Sequence, residues 1–471
     1  MKTRIFFLCG LIILAIAANA QNNKLNLQQA IQLALKQNIL TRQGELEMRT
    51  ARINYQQAKN NRLPVAEGVY NYGFNNGRSI DPFTNGYINQ QLTSSNVNAQ
   101  ASVPVFSGFE LKNTIKRTEL NFATATMEWQ QRKDELTLQV ILAYLQILNN
   151  EDALTLARQQ AGITRQQVER LEIIAREGAT NPANVSDLNG QYAGDELAII
   201  NAENNLAASI VSLTQLMQVP YDANLQIDRA GFGEAVTMYP SLPKEIYATA
   251  VQQLASVKAS ELRVQSSSAA VKVAAAPLFP TVLLYGVLNT NYSSAAMINK
   301  ALGFTEVTTN DYVLYNGSNL PVVTRQNNFS SQKIQYGNQL SNNLSSAYGV
   351  SVAMPLFGAF RTRNNIKIAK NEERNNRLVA DNIKYQLAQA VEQAYINITT
   401  TYKRYQVLEF QAAAYAESFR IAGIRFENGV INSPEYLIAK NNLDRTRANI
   451  ITTRYEYLLR KKVLDFYMGK L

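Results

Sequence analysis

One phrase is written twice in this chain. SVPVFSGFELKNTIK runs from Ser102 to Lys116, and AMPLFGAFRTRNNIK runs from Ala353 to Lys367. Pro104 matches Pro355, Phe106 matches Phe357, Phe109 matches Phe360, and Asn113, Ile115 and Lys116 match Asn364, Ile366 and Lys367, every pair 251 positions apart. Gly178 in REGATNPANV and Gly429 in FENGVINSPEYL keep the same offset. A constant offset over such a span marks an internal duplication. Any fold for this chain must therefore hold two similar halves.

The prolines outline what each half contains. None falls between Phe106 and Asn181, and none between Phe357 and Ser433. Proline inside a helix costs about 3 kcal/mol, so these gaps predict two very long helices. Leu136, Val140, Tyr144 and Ile147 step by threes and fours, as do Leu387, Val391, Ala394, Ile398 and Tyr402. This is the seam of an antiparallel coiled coil. Beyond each glycine a proline (Pro182, Pro434) suits the first turn of a returning helix. The return helices carry matched heptads: Val185, Tyr192, Ile199, Leu206 and Leu213, then Tyr436, Leu443, Ile450, Tyr457 and Leu464. Each half also opens with one shorter helix, ahead of Pro64 and Pro277.

Strands are expected between the helices. Tyr70, Tyr72 and Phe74 alternate with Asn71, Gly73 and Asn75; Val97, Ala99, Ala101 and Val103 alternate with polar residues. Thr281 to Tyr292 is apolar, and Tyr348, Val350, Val352 and Met354 alternate with smaller residues. The connections Asn76 to Leu92 and Ser293 to Asn343 are polar and read as loops. Strands of about 10 residues with aromatic groups on one face fit a membrane barrel; a soluble sheet with one buried face is the other reading. Four strands cannot close a barrel with a usable lumen, and an open edge is not tolerated in lipid. Three copies would supply twelve.

The expected organisation is a signal peptide at 1–20, a first repeat at 21–218 with its hairpin at 65–105, a linker at 219–239, and a second repeat at 240–471 with its hairpin at 280–356. The leader has Lys2 and Arg4, an apolar run and Ala18-Asn19-Ala20 before the cut. The one cysteine, Cys9, lies within it, and the chain has no histidine. That removes imidazole bases, thiol nucleophiles and zinc sites of the usual kind; no enzyme activity, cofactor or metal is expected. The net charge of +10 is spread along the chain rather than clustered, and no nucleic-acid partner is expected of an exported protein.

The duplicated layout, the opening helix LNLQQAIQLALKQN, the phrases VPVFSG and AMPLFG, and the turn glycines Gly178 and Gly429 together resemble the outer membrane efflux protein family, the TolC-like exit ducts. The resemblance covers nearly all of the chain after its leader. It implies a homotrimer in the outer membrane. The fold would be mixed α and β: a twelve-stranded transmembrane β-barrel, four strands from each copy, above a periplasmic α-barrel of long coiled-coil helices. The implied function is passive passage in a tripartite efflux or type I secretion system. The implied partners are a periplasmic adaptor, an inner-membrane transporter and the lipid of the outer membrane. The adaptor contacts would be the turns Gly178, Ala179, Thr180 and Gly429, Val430, Ile431. The periplasmic entrance would carry Glu435, with Asn184 and Asp187 at and near the equivalent place in the first repeat. Family members with a second acid place it where this chain has Ile438, and those with a locking arginine place it at Ile431. An acid in the first turn of a helix also answers the helix dipole, so Glu435 has a structural role compatible with the entrance role. The alternative function is a soluble periplasmic coiled-coil scaffold or adaptor.

Overall fold

The computed structural model describes residues 24–81, 85–89, 91–178, 180–230, 232–233 and 235–470. The leader expected at 1–20 lies outside the described residues. Nine helices and eight strands are seen among them. The first half contains α1 (Leu27–Gln37), α2 (Ile39–Asn60), β1 (Val65–Asn75), β2 (Arg78–Ile80), β3 (Tyr87–Asn89), β4 (Leu92–Ser107), α3 (Glu110–Arg176) and α4 (Pro182–Met217). The second contains α5 (Pro243–Gln253), α6 (Ala255–Ala275), β5 (Thr281–Ser293), β6 (Met297–Tyr315), β7 (Ser318–Lys333), α7 (Tyr336–Asn342), β8 (Ser345–Ala353), α8 (Arg361–Glu427) and α9 (Ser433–Tyr467).

The two long helices have 67 residues each, and both their ends keep the offset of the duplicated phrase. The shorter leading helices differ from expectation. Each is broken once, at Asn38 (ψ 128°) and at Leu254 (ψ 130°), so each is two helices rather than one. Asn38 stabilises its break, its Oδ1 accepting from Leu40 N at 2.9 Å and its Nδ2 donating to Leu216 O at 3.1 Å.

The chain divides into two compact units. The helical unit comprises residues up to Asn54, Arg117–Ser268 and Asn371–Leu471. Its core joins both repeats: Val140, Tyr144, Ile147 and Leu148 of α3 are fully buried, with Leu213 of α4, Val391 of α8 and Leu464 of α9. The described residues between Val219 and Tyr239 are irregular and are pinned by tyrosines. The Tyr144 hydroxyl lies 2.9 Å from Leu25 O and 2.5 Å from Asp228 O, and Tyr457 donates to Thr237 O at 2.6 Å. Burial pushes the Tyr144 hydroxyl up to about 12, which keeps it a neutral donor.

The strand unit comprises Tyr55–Lys116 and Ala269–Lys370. Its main sheet is antiparallel with order β1-β4-β5-β8. The register sorts side chains onto two faces. One gathers Glu67, Asn71, Asn96, Asn98, Gln100, Asn289 and Asn291, with Val65, Val69, Leu283, Tyr285 and Val287 among them. On it Gln100 Nε2 donates to Glu67 Oε2 and Asn96 Nδ2 donates to Asn289 Oδ1, each at 3.2 Å. The opposite face carries Tyr70, Tyr72, Phe74, Leu284, Leu288, Tyr348 and Val350, all exposed on the single chain. Among the described residues the outer edges of β1 and β8 have no partner strand.

The duplicated phrase now has a physical meaning. Gly108 (φ 59°) and Phe109 (φ 66°) are both left-handed, and so are Ala359 (φ 47°) and Phe360 (φ 60°). Each pair turns the chain out of a strand and into a long helix. Phe106 meets Phe109 edge to face at 5.1 Å, and Phe357 meets Phe360 at 5.9 Å. The connection from Ser293 to Asn343 corrects an expectation. It is no loop but a long antiparallel ribbon, β6 on β7, followed by α7.

Candidate functional site: the two helical turns

Two glycines end the long helices. Gly178 has φ 72° and Gly429 φ 68°, the left-handed conformation that stops a helix. Gly178 N donates to Ala175 O at 3.0 Å, and Gly429 N donates to Phe426 O at 3.1 Å. Val430 N then reaches Arg425 O at 2.8 Å. Asparagines start the return helices: Asn181 Oδ1 accepts from Ala183 N at 3.0 Å, and Asn432 Oδ1 accepts from Glu435 N at 3.1 Å. Such caps are worth about 1 kcal/mol each.

A small apolar cluster joins the helices near these turns. It contains Val168 and Leu171 of α3, Leu188 of α4, Phe426 of α8 and Tyr436 of α9. Phe426 and Tyr436 stack at 4.8 Å with 17° between planes. Burial, with Asp444 and Glu427 nearby, pushes the Tyr436 hydroxyl up to about 12. Ile431 packs on this cluster, which accounts for an apolar residue there. Arg170 of α3 pairs with Glu427 of α8 at 2.7 Å.

The structure brings two of the three entrance candidates together. Ser433 is fully buried, and its Oγ lies 2.6 Å from Asp187 Oδ2 and 2.9 Å from Asn184 Oδ1. Asn184 Nδ2 lies 3.4 Å from Thr180 Oγ1. These contacts tie the start of α4 to the start of α9. Glu435 is exposed in the first turn of α9 and Val430 is exposed in the turn before it. Ala179 lies outside the described residues.

One deeply buried charge was not singled out in the sequence. Lys440 of α9 is 2% exposed, and its Nζ donates to Asp195 Oδ2 at 3.0 Å and to Asp444 Oδ2 at 2.7 Å. Gln191 Nε2 holds Asp195 Oδ1 at 2.7 Å, and Thr164 of α3 donates to Asp195 Oδ2. One ammonium between two carboxylates thus fastens α4 to α9. Lys440 and Asp444 stand four apart on one helix, a visible signal. Asp195 is 245 positions from Lys440, so nothing in the repeat register points to it. Among the described residues no group of His, Cys, Asp or Glu is placed to hold a metal ion. The arrangement offers hydrogen bonds, one buried ion network and an exposed acid in the first turn of α9, and it holds the helices together.

A family model described as outer membrane efflux protein matches residues 30–218 and 246–470. No curated protein matches the chain by sequence. Solved structures with a similar fold include a membrane protein from Pseudomonas aeruginosa, 17% identical, with TM-score 0.74 over 94% of this chain and 92% of that one. The CmeC outer membrane channel of Campylobacter jejuni is 14% identical, with TM-score 0.74 over 94% and 85%. The open state of the MtrE outer membrane channel of Neisseria gonorrhoeae is 18% identical, with TM-score 0.70 over 94% and 88%.

Proposed function

Because the chain belongs to the outer membrane efflux protein family, whose model matches both of its repeats, we propose that three copies close one continuous duct across the outer membrane. The protein is an outer membrane efflux channel, with its helical part in the periplasm. The family match disfavours the soluble scaffold reading.

The observation that carries the trimer is the four-stranded sheet with one polar face, one apolar face and two unpaired edges. In lipid every backbone donor and acceptor must be satisfied. Four strands are too few to satisfy their own edges, and cyclic symmetry with identical neighbours does so. Twelve strands then enclose a lumen lined by Glu67, Asn98, Gln100 and Asn289, while Tyr70, Leu288 and Tyr348 meet lipid.

Passage through such a duct is passive. An inner-membrane transporter supplies the energy, and a periplasmic adaptor engages the turns at Gly178–Thr180 and Gly429–Ile431, where Gly178, Gly429 and Val430 are exposed. Ser433 with Asn184 and Asp187, and Lys440 with Asp195, hold the return helices of the two repeats together. Adaptor contact would widen the entrance by loosening these links. Glu435, once per copy, places like charges around that entrance and draws cations to it.

Native mass spectrometry in mild detergent tests this reading. Three chains per particle are expected, and single-channel recordings should favour cations, less so in Glu435→Gln. A monomer that forms no channel overturns it.

A further inference from the structure

The β6–β7 ribbon is a long part of the strand unit that the duct as proposed does not use. It pairs from Met297 with Lys333 to Tyr315 with Ser318, and a left-handed Asn316-Gly317 turn closes it (φ 49° and 81°). Its base is built to hold one position. Ile334 N donates to Ala296 O at 3.1 Å. The buried Gln339 carboxamide accepts from Ser293 N at 2.9 Å and donates to Ser293 O at 3.0 Å and Ile334 O at 2.9 Å. The ribbon therefore leaves from the end of β5 that lies away from α6, a fixed point on the rim of the sheet.

Its far end is unlike the tip of a solvent-exposed hairpin. Tyr312 faces Pro321 across the strands and Val313 faces Leu320. Successive residues of a strand point to opposite faces, so both faces are apolar there. Leu314 and Tyr315 are 69% and 64% exposed on the single chain. From Tyr312 to Thr324 there is no charged residue. A two-stranded ribbon is marginally stable in water by itself, and this one has no core on either side. Something covers it.

We propose that the ribbon tips of neighbouring copies pack on one another around the axis of the duct. This rests on the trimer reading above. The uncharged tip presents nothing to repel an identical copy, and no charged face for a lipid headgroup or a nucleic acid. Three ribbons anchored at equivalent points of one rim meet at an effective concentration on the order of millimolar. They can also reach. Twelve strands about 4.8 Å apart, tilted about 40°, enclose a ring of roughly 12 Å radius. A strand the length of β6 extends roughly 60 Å at about 3.3 Å per residue, several times that radius.

Cysteine cross-linking tests the contact, since Cys9 in the leader is the sole native cysteine. Leu314→Cys and Tyr312→Cys sample the ribbon's tip, and Lys300→Cys near its base is the control. Each is assembled as the full protein, its mass measured in mild detergent, and then oxidised. The proposal expects covalent dimers from at least one tip variant, several-fold above the base control, in a yield that dilution leaves unchanged. Three-chain particles whose tip cysteines never link overturn it, as do links that fade on dilution. Single-chain particles overturn the trimer itself, and the proposal falls with it.

Discussion

Lys440 brings its ammonium into an interior where two carboxylates, Asp195 and Asp444, outnumber it. Such a network is held together by its geometry, and removing one partner leaves uncompensated charge in a dry place. Breaking a buried pair typically costs about 3–5 kcal/mol. Lys440→Met should cost that much, because both acids lose their counter-charge at once. Replacing Asp195 by Leu in the same chain should recover part of the loss. Thermal unfolding of the two variants in detergent checks the order, and equal midpoints for Lys440→Met and the parent would remove Lys440 from the account. This residue shows where reading the sequence stopped. The heptad residues Leu443, Tyr457 and Leu464 were legible because burial repeats with the helix period. Lys440 sits one place after Ala439 on the same buried side, and a lysine there looks like a solvated charge until its partner on α4 is known. Ser433 was hidden for a similar reason: its partners Asn184 and Asp187 lie in the other repeat.

Among the elements, the long helices and the glycines that end them were legible, since proline gaps and turn glycines leave clear marks. The ribbon was not. Period-two alternation arises when one face of a strand is buried and the other is wet. Both faces of β6 are exposed on the single chain, so its Asn, Thr and Tyr show no alternation and imitate a polar loop. The breaks at Asn38 and Leu254 were equally silent, because neither residue is a strong helix breaker and a backbone torsion decides them. The strand-to-helix turns give the element-scale prediction. At Gly108 a Cβ would stand 2.4 Å from Ala276 O, whereas at Gly178 it would meet nothing within 4 Å. Both positions carry the left-handed penalty of roughly 1–2 kcal/mol for an L-residue. Gly108→Ala adds a clash with backbone, which cannot swing aside. Gly108→Ala should therefore lower the yield of assembled protein severalfold, and Gly178→Ala only slightly. Heat-resistant oligomer on gels measures both, and equal yields would count against the turn as a rigid joint.

For the molecule as a whole, the duplication supplies a scaffold and the departures from it supply what is particular to this chain. The long helices, their turns and the starts of the return helices keep the common offset; the buried lysine network and the long ribbon occur once per copy. A passive duct needs its walls sorted by solvent, and the register of β4 and β5 makes the sorting testable at adjacent residues. Leu288 and Asn289 are neighbours on β5, and the strand sends them to opposite faces. Leu288 stands beside Ala99 on the apolar face; Asn289 stands beside Asn98 on the polar one. An arginine facing lipid near the midplane of a membrane costs about 2–4 kcal/mol, while one facing a water-filled lumen costs little and alters selectivity. Leu288→Arg should therefore reduce the protein recovered in outer membranes. Asn289→Arg should insert at the parental level and, with three added positive charges in the lumen, lower the preference for cations in single-channel recordings. If the two variants were to change places, with Asn289→Arg failing to insert, the polar face would be turned toward lipid. The assignment of lumen and bilayer would then be inverted. If neither affected insertion, the sheet would not be spanning a membrane, because no arrangement of a lipid-embedded strand leaves both of its faces indifferent to charge.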